Sequence, residues 1–380
     1  MSQGDLPFTV EEYRTRLKNV QANMAAADIE VLLVTAPENI FYLTGYHTVG
    51  YFSFQMLVVP IDRNPIMLAR GLNVTQAQAS WIDDVEGYSD TQDVNDWVYD
   101  SLAKYGLADK RLGNQDNAFF FTVTQYKKLV ARLGKEPIDG SGLIEKVRLI
   151  KSPQELAYMR EAGRCCAASI DAGVAAVKPG ATENDVAAAL HHGLISSGSE
   201  YLGHPPLIVT GPAAGLGMET YRRRPIDTND ILFIEAGGTY ERYNVGLSRT
   251  VAIGRPDEKW TPMYEACRDG FIAAAEAIKP GVTSHEVDAQ CRKHIRDQGY
   301  PFDKRAGYSI GIGFPPDWGE GRTQSINQGD ETVLVPGMVF HIVPNLRLAG
   351  EGSVIFSETV AVTETGHEIL TPYPRDLIHK

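Results

Sequence analysis

Two glutamates stand inside apolar stretches, where a charged side chain is unusual. Glu235 follows Ile-Leu-Phe-Ile at 231–234 and precedes Ala-Gly-Gly at 236–238, and Glu358 lies within VIFSETVAV. Burying an unpaired carboxylate costs free energy, and two buried acids that lie close together raise the pKa of one of them. The pattern predicts Glu235 as a nucleophile or general base and Glu358 as a general acid or amidinium partner, or the reverse assignment.

Both glutamates could also be surface residues without a catalytic role. A glutamate where a hairpin begins is often a surface acid, and Ser357-Glu358-Thr359 can alternate polar side chains toward solvent. The four apolar residues that precede Glu235 indicate a buried strand, and they favour a functional role for this residue.

His341 and Tyr308 are the next candidates for acid–base chemistry. His341 lies between Phe340 and Ile342, so it is either an acid–base residue or a hydrogen-bonded histidine of the core. Tyr308 can donate a hydrogen bond to a substrate carboxylate or a leaving nitrogen, or it can serve in aromatic packing. His204, which precedes two prolines, is interpreted as a loop residue.

Aromatic side chains are candidates for a wall around a small cation, because an aromatic face attracts an amidinium or an onium group. The candidates for this wall are Tyr51, Phe52, Phe54 and Trp318. Core packing is the alternative for each of them. Arg249, in the strand that follows Glu235, is expected to pair with a buried acid.

Charge and composition exclude several classes of function. The chain has 36 basic and 48 acidic residues and a net charge of −12, which repels nucleic acid. No run of about 18 apolar residues occurs, so no membrane partner is expected. The first residues do not resemble a signal peptide and the four cysteines have no CxxC spacing. We therefore predict a cytoplasmic protein with reduced thiols.

The length of 380 residues predicts two domains. Residues 1–148 alternate short apolar runs, among them VLLVTA, FYLTGY, QMLVVP and PIMLAR, with amphipathic helical segments, which indicates an α/β domain. Ser152-Pro153-Gln154-Glu155 combines a capping box with a proline in the first helical turn. A long helix is therefore predicted to open the second domain, residues 149–380.

An internal repeat organises the second domain. KPGAT at 178–182 recurs as KPGVT at 279–283, 101 positions later, and the helix after each copy is predicted to end at a glycine, Gly198 or Gly299. A register kept over this length indicates duplication. The repeat predicts a pseudo-two-fold α+β domain in which helix pairs cover one curved sheet and the site lies between the halves.

Several of these segments resemble the creatinase/aminopeptidase P family. IKSPQELAYMREAG at 150–163, LFIEAGGTYERYNVGLSRT at 232–250 and PGMVFHIVPN at 336–345 resemble its entry helix, its central hairpin and a closing strand. The resemblance extends over nearly the whole chain. It implies an α+β protein, with an N-terminal α/β creatinase-like domain followed by a catalytic domain of the pita-bread fold.

The metal-using members of this family have five ligand positions. In this sequence those positions hold Glu235, Gly246, Tyr308, Val343 and Glu358. Three of the five cannot bind a hard or borderline divalent metal through their side chains. The resemblance therefore implies a site with no metal and no other cofactor.

With these residues at the ligand positions, the sequence resembles the metal-independent branch of the family, which opens the cyclic amidine ectoine. The most specific match is PPDWGE at 315–320, which assigns Asp317 and Trp318 to substrate binding. The resemblance implies hydrolysis of a C–N bond in a small zwitterion, with a glutamate nucleophile at Glu235. Met218 stands where much of the family has a catalytic histidine, and the neighbouring Glu219 is the candidate to replace it in the substrate pocket.

Three other functions stay open on the same fold: a creatinase-type amidinohydrolase, a lyase acting on dimethylsulfoniopropionate, and a binding module without catalysis. The segment 45–54 resembles loops that cover the neighbouring subunit's site in this family. The resemblance therefore implies a homodimer whose ligand is a small zwitterion.

Overall fold

The computed structural model describes residues 6–318, 320 and 322–380. The chain divides into two compact units, and the boundary lies between Arg148 and Leu149. Among the described residues, no helix is both long enough and apolar enough to cross a membrane.

The first unit is built on one six-stranded mixed sheet with the order β4-β3-β2-β1-β5-β6. Its strands are β1 (Val31–Val34), β2 (Met56–Pro60), β3 (Ile66–Arg70), β4 (Asp84–Tyr88), β5 (Leu112–Asn114) and β6 (Ile138–Asp139). Its helices are α1 (Val10–Ala26), α2 (Pro37–Thr44), α3 (Val74–Ala77), α4 (Val94–Lys104), α5 (Val123–Leu133) and α6 (Glu145–Arg148). The central strands β1 and β2 are buried along their whole length, as expected for apolar runs covered by helices.

The segment FYLTGY was expected to be a strand, and this prediction is wrong. Its residues form the end of α2 and the turn after it. Pro37 occupies the first helical turn, where its missing amide costs no hydrogen bond, and Gly45 ends the helix with a φ of 73°. The helix is buried on nearly all sides, and a short apolar run does not distinguish such a helix from a strand.

The second unit alternates helix pairs with strands. Its helices are α7 (Pro153–Ala176), α8 (Glu183–Ser196), α9 (Trp260–Ala277) and α10 (Ser284–Asp297). Its strands are β7 (Leu207–Thr210), β8 (Ile231–Tyr240), β9 (Tyr243–Ala252), β10 (Gly307–Ser309), β11 (Ser325–Ile326), β12 (Val339–Ile342), β13 (Asn345–Leu348), β14 (Gly352–Ile355), β15 (Glu358–Val362), β16 (His367–Ile369) and β17 (Ile378–His379). They form the sheets β17-β9-β8-β7, β11-β10-β12-β15-β16 and β13-β14.

The two halves of this unit repeat the same local design. Thr182 and Thr283 both cap the second helix of a pair through a reciprocal capping box. The turn after each of these helices contains a glycine with positive φ, Gly198 at 105° and Gly299 at 88°. Antiparallel strands follow each helix pair: β7 to β9 after the first pair, and β10, β12 and β15 after the second.

The hairpin of β8 and β9 is the long central element of the first sheet. Its two strands pair in register from Ile231 with Ala252 to Tyr240 with Tyr243. The turn residues Glu241 and Arg242 have φ values of 47° and 63°, which is typical of the type I′ turn that matches strand twist. Helix α7 packs so closely on this hairpin that a Cβ at Gly238 would lie 2.0 Å from the Ala162 carbonyl oxygen.

Candidate functional site

One face of the β8–β9 hairpin forms the floor of the site. Glu235 pairs with Ser248 and Gly237 pairs with Gly246. Because alternate residues of a strand point to the same side, and directly paired residues share a side, these four positions lie on one face. The floor therefore has a carboxylate and a hydroxyl at one end and two glycines beside them.

The two glycines make room for two rings. A Cβ at Gly237 would lie 2.8 Å from Cε3 of Trp318, and a Cβ at Gly246 would lie 2.7 Å from both Cε1 and Nε2 of His341. Both rings therefore rest directly on the hairpin backbone. Their centroids are 5.4 Å apart and the rings are nearly perpendicular, at 83°.

Hydrogen bonds fix the imidazole of His341 from both sides. Trp318 Nε1 donates to Tyr308 Oη at 3.0 Å, Tyr308 Oη lies 3.0 Å from His341 Nδ1, and His341 Nε2 lies 2.7 Å from Ser357 Oγ. The phenol has no other acceptor among the described residues, so it donates to Nδ1, and the imidazole proton is on Nε2. Glu235 Oε1 lies 3.9 Å from the same Nε2.

Burial determines the protonation states of Glu235, His341 and Tyr308. It raises the pKa of Glu235 from 4.5 to about 7, and the positive charge of Arg347 only partly offsets this increase. Burial also lowers the pKa of His341 to about 3, so this imidazole is neutral at physiological pH. The pKa of Tyr308 is raised by burial, which keeps the phenol protonated. At neutral pH, Glu235 is therefore the group of this cluster that can gain or lose a proton.

Ser248 adds a polar atom without a partner. Its side chain is fully buried, and its Oγ has no hydrogen bond to any described residue. It lies directly across the strand pair from Glu235. A buried hydroxyl left unsatisfied costs free energy, so its position beside the carboxylate is well suited to a bound ligand.

Glu358 is buried, so the surface interpretation of this residue is wrong, but the structure pairs it with arginines rather than with Glu235. Arg249 Nη2 lies 2.5 Å from Glu358 Oε1, and Arg375 Nη2 lies 2.7 Å from Oε2. Strand alternation explains this, because Ser357 bonds His341 and Thr359 bonds the Gly246 backbone, while Glu358 points to the opposite side.

The pairing of Glu358 corrects the role expected for it. Both of its oxygens accept hydrogen bonds from guanidinium groups, so the carboxylate is already matched by positive charge. The two guanidinium groups occupy the place that an amidinium partner would take. The expected pairing of Arg249 with a buried acid is confirmed.

The structure places the other predicted residues of this unit as follows. Asp317 lies close enough to Tyr308 for its charge to add to the effect of burial on the pKa of that tyrosine. Glu219 lies near two arginines, 3.4 Å from Arg222 and 3.8 Å from Arg224.

The aromatic residues of the first unit are held by their own neighbours. Tyr51 makes an edge contact with Phe120 at 5.4 Å, and Phe54 packs against Phe121 at 5.9 Å within the core of that unit. Core packing accounts for Phe54. Phe52 is 78% exposed.

Sequence reasoning missed Ser248 and Ser357 as site residues and gave His204 little weight. A single serine in a strand carries no local signal for function, and only the pairing of distant strands shows its neighbours. His204 lies over Trp318, with ring centroids 4.7 Å apart and an angle of 30° between the planes.

The residues of the site do not fit a dinuclear metal centre. The space that a carboxylate at Gly246 would need is filled by His341, Tyr308 is committed to a hydrogen bond with His341, and Glu358 is paired with arginines. Val343 has no donor atom in its side chain. Among the described residues, no group of three or more histidine, cysteine, aspartate or glutamate side chains is placed to hold a metal ion.

Replacing Gly246 by Asp should disrupt the site rather than restore a metal ligand. The new Cβ must displace the His341 ring, and we expect a loss of about 1–3 kcal/mol in the free energy of unfolding, measured by urea denaturation. Adding His341→Ala should recover part of that loss. As a control, Gly366→Asp should be nearly neutral, because no atom lies within 4 Å of its Cβ position. A neutral Gly246→Asp would contradict the observed packing.

Comparison with known families agrees with this architecture. The model of the creatinase/prolidase N-terminal domain matches residues 16–150, and the model of metallopeptidase family M24 matches residues 157–364. The two matches cover the two units of the chain.

Individual relatives extend over the full length. The chain is 32% identical to the ectoine hydrolase of Halomonas elongata, with all of both chains covered, and 29% identical to an Xaa-Pro dipeptidase of Lactobacillus helveticus, with 95% of this chain and 98% of the relative covered. The crystal structure of dipeptidase PepE from Mycobacterium ulcerans superposes with a TM-score of 0.85 at 26% identity, covering 98% of this chain and 99% of that one. The protein is therefore a hydrolase that belongs to metallopeptidase family M24 and has the pita-bread fold behind a creatinase-type N-terminal domain.

Proposed function

We propose that this chain is a metal-independent hydrolase that breaks a C–N bond in a small zwitterion, and that its reaction is the opening of ectoine to an N-acetyl-diaminobutyrate. The observation that supports this most is Glu235. It is a buried carboxylate with a pKa of about 7, on a floor of glycines and beside a neutral imidazole. The similarity to an ectoine hydrolase over the whole chain agrees with it.

A cationic amidine suits this carboxylate electrostatically. The folded protein disfavours the Glu235 anion by burying it, and a cation bound nearby lowers the pKa of an acid. Binding of an amidinium would therefore convert Glu235 to its reactive, ionised form. The carboxylate then attacks the amidinium carbon or takes a proton from a water molecule that does so.

Other groups of the site supply what the reaction needs beyond the carboxylate. The flat indole of Trp318 offers an aromatic face to a planar cation. Ser248 Oγ, buried without a partner, provides a donor for the oxygen or nitrogen on which charge develops. Tyr308 and Ser357 hold His341 in one orientation.

A substrate panel separates this proposal from its rivals. We would measure turnover of ectoine, hydroxyectoine, creatine, dimethylsulfoniopropionate and Xaa-Pro dipeptides by the purified protein. The expected result is ring opening of ectoine with no turnover of dipeptides. Turnover of creatine or of dimethylsulfoniopropionate instead would assign the amidinohydrolase or the lyase activity, and inertness toward all compounds with retained binding would favour a binding module.

We also propose that the protein is a cytoplasmic homodimer. All four cysteines are free and buried, as expected in a reducing compartment. The dimer rests on the resemblance of the segment 45–54 to loops that cover a neighbouring subunit in this family. Light scattering should give twice the mass of one chain, and a fully active monomer would contradict the dimer.

A further inference from the structure

The segment before β7 brings a second histidine to the site. His204 precedes two prolines, and the backbone just before it lies against β9, since a Cβ at Gly203 would lie 2.5 Å from Asn244 Oδ1. Asn244 is itself held, because its side chain accepts a hydrogen bond from Thr239 and donates to the Arg242 carbonyl. The loop that carries His204 is therefore fixed to the central hairpin.

The imidazole of His204 has one nitrogen bound and one nitrogen available. Its Nδ1 lies 2.6 Å from the carbonyl oxygen of Pro205, and a carbonyl only accepts, so Nδ1 carries the proton of the neutral ring. Nε2 is left with its lone pair and has no hydrogen-bond partner among the described residues. Burial lowers the pKa of His204, and the hydrogen bond to the Pro205 carbonyl and the charge of Asp317 offset this only in part. The neutral form is therefore favoured.

Stacking connects this ring to the site. The His204 ring lies over Trp318, and the same indole rests on Gly237 and donates to Tyr308. Gly237 is on the same face of β8 as Glu235. Trp318 therefore contacts both His204 and the face of the hairpin that carries Glu235.

The other imidazole of the site is poorly suited to moving protons. Both nitrogens of His341 are engaged, by Tyr308 and Ser357, and its pKa of about 3 opposes protonation. Met218, which stands where related enzymes are expected to have a catalytic histidine, is 74% exposed, and a thioether cannot transfer a proton. The task of proton transfer has no other imidazole in the described part of this site.

We propose that His204 is a second acid–base residue of this site besides Glu235, and that its Nε2 carries a proton of the attacking water to the leaving nitrogen. This inference rests on the proposed hydrolysis of a C–N bond. Two titratable groups interact electrostatically with His204: the charge of Asp317 raises the pKa of His204, and the charge of His204 lowers the pKa of His341.

The proton balance of the reaction defines this role. Hydrolysis of an amidinium adds one water molecule: a C–O bond forms, one C–N bond breaks, and both water protons finish on the nitrogen that leaves as an ammonium group. In the general-base route, Glu235 takes the first proton as the C–O bond forms and returns it to the leaving nitrogen as the C–N bond breaks. His204 Nε2 takes the second proton when the hydroxyl of the adduct becomes a carbonyl, and passes it to the same nitrogen.

Two substitutions separate proton transfer from packing. His204→Phe keeps an aromatic ring on Trp318 but removes both nitrogens, and His204→Ala leaves space that free imidazole can enter. We expect kcat on ectoine to fall about 10²–10⁴-fold in both variants with little change in KM, and added imidazole to restore part of the activity of His204→Ala only. The matched control is His294→Ala, since His294 is exposed and its Nδ1 also bonds a backbone carbonyl, that of Gln290.

The outcomes distinguish this inference from the proposed function. A His204→Phe variant with near-normal kcat would overturn the role of His204. The same conclusion would follow if His204→Ala lost activity that added imidazole did not restore, while His204→Phe stayed active. In both cases hydrolysis by the wild type would still stand. Wild-type protein that turns over no compound of the panel would overturn both. Thermal melts of each variant confirm that the fold is retained.

Discussion

Replacing Glu235 by Gln should lower kcat at least about 10²-fold, because the amide keeps the volume of the side chain and removes the anion that attacks or takes a proton. KM should change less, since the neighbours that bind substrate are retained. If the carboxylate is the nucleophile, mass spectrometry of quenched wild-type protein should find substrate mass on the peptide that contains Glu235. General-base catalysis leaves no such mass.

The same substitution should make the protein more stable at neutral and alkaline pH. The folded protein holds the Glu235 proton up to a pH of about 7, whereas the unfolded chain releases it near 4.5. The favourable contribution of this group is therefore complete below pH 4.5 and is lost as the pH rises to about 7. Glutamine has no such loss, so Glu235→Gln should gain roughly 3 kcal/mol over the wild type across this range.

Urea denaturation of both proteins at several pH values measures this difference. His341 has the opposite pH dependence, but it is present in both proteins and cancels in the comparison. The control is Glu364→Gln at an exposed position, which should change neither kcat nor stability. For the wild type, kcat/KM should fall as the pH decreases through about 7, because the protonated carboxyl cannot act as nucleophile or base. A Glu235→Gln enzyme with near-normal turnover would falsify this role.

Replacing Glu358 by Gln should have the largest effect on stability. Arg249 is fully buried and would lose its carboxylate partner, and breaking a buried ion pair from one side costs about 3–5 kcal/mol. Arg375 can turn toward water because its side chain is 37% exposed. The loss should therefore come from Arg249, and adding Arg249→Met should recover part of it.

An exposed ion pair of similar geometry provides the control. Arg160 bonds Glu368 through two parallel hydrogen bonds of 2.7 Å, and both side chains are more than a third exposed. Glu368→Gln should cost no more than about 1 kcal/mol in the free energy of unfolding. If Glu358→Gln left stability unchanged and abolished turnover, Glu358 would be a catalytic residue and the structural role assigned to it would be wrong.

The sequence predicted those parts of the fold that are determined by residues close together in the chain. The recurrence of KPGAT as KPGVT gave the repeat its register, and the apolar run before Glu235 indicated that this acid is buried, at 7% exposure. Local signals failed for FYLTGY, because a fully buried helix of eight residues and a buried strand have the same composition.

The details of the site depend on contacts between distant segments. Glu358 was correctly suspected as a buried acid, but strand alternation alone did not show that its side of β15 faces Arg249 and Arg375. The sequence indicates that Gly246 stands at the place of a metal ligand, and the structure adds that the missing side chain admits the His341 ring. Such complementarity is visible only once β9 and β12 are placed together.

Turnover of ectoine by protein of known metal content decides whether the hydrolysis depends on a metal ion. The protein would be dialysed against a chelator, its metal content measured by elemental analysis, and its rate compared before and after adding zinc or manganese. We expect less than stoichiometric metal and a rate that neither the chelator nor added metal changes, because Gly246 and Val343 offer no ligand and Glu358 is paired with arginines. A rate that disappears with the chelator and returns with stoichiometric metal would contradict this expectation.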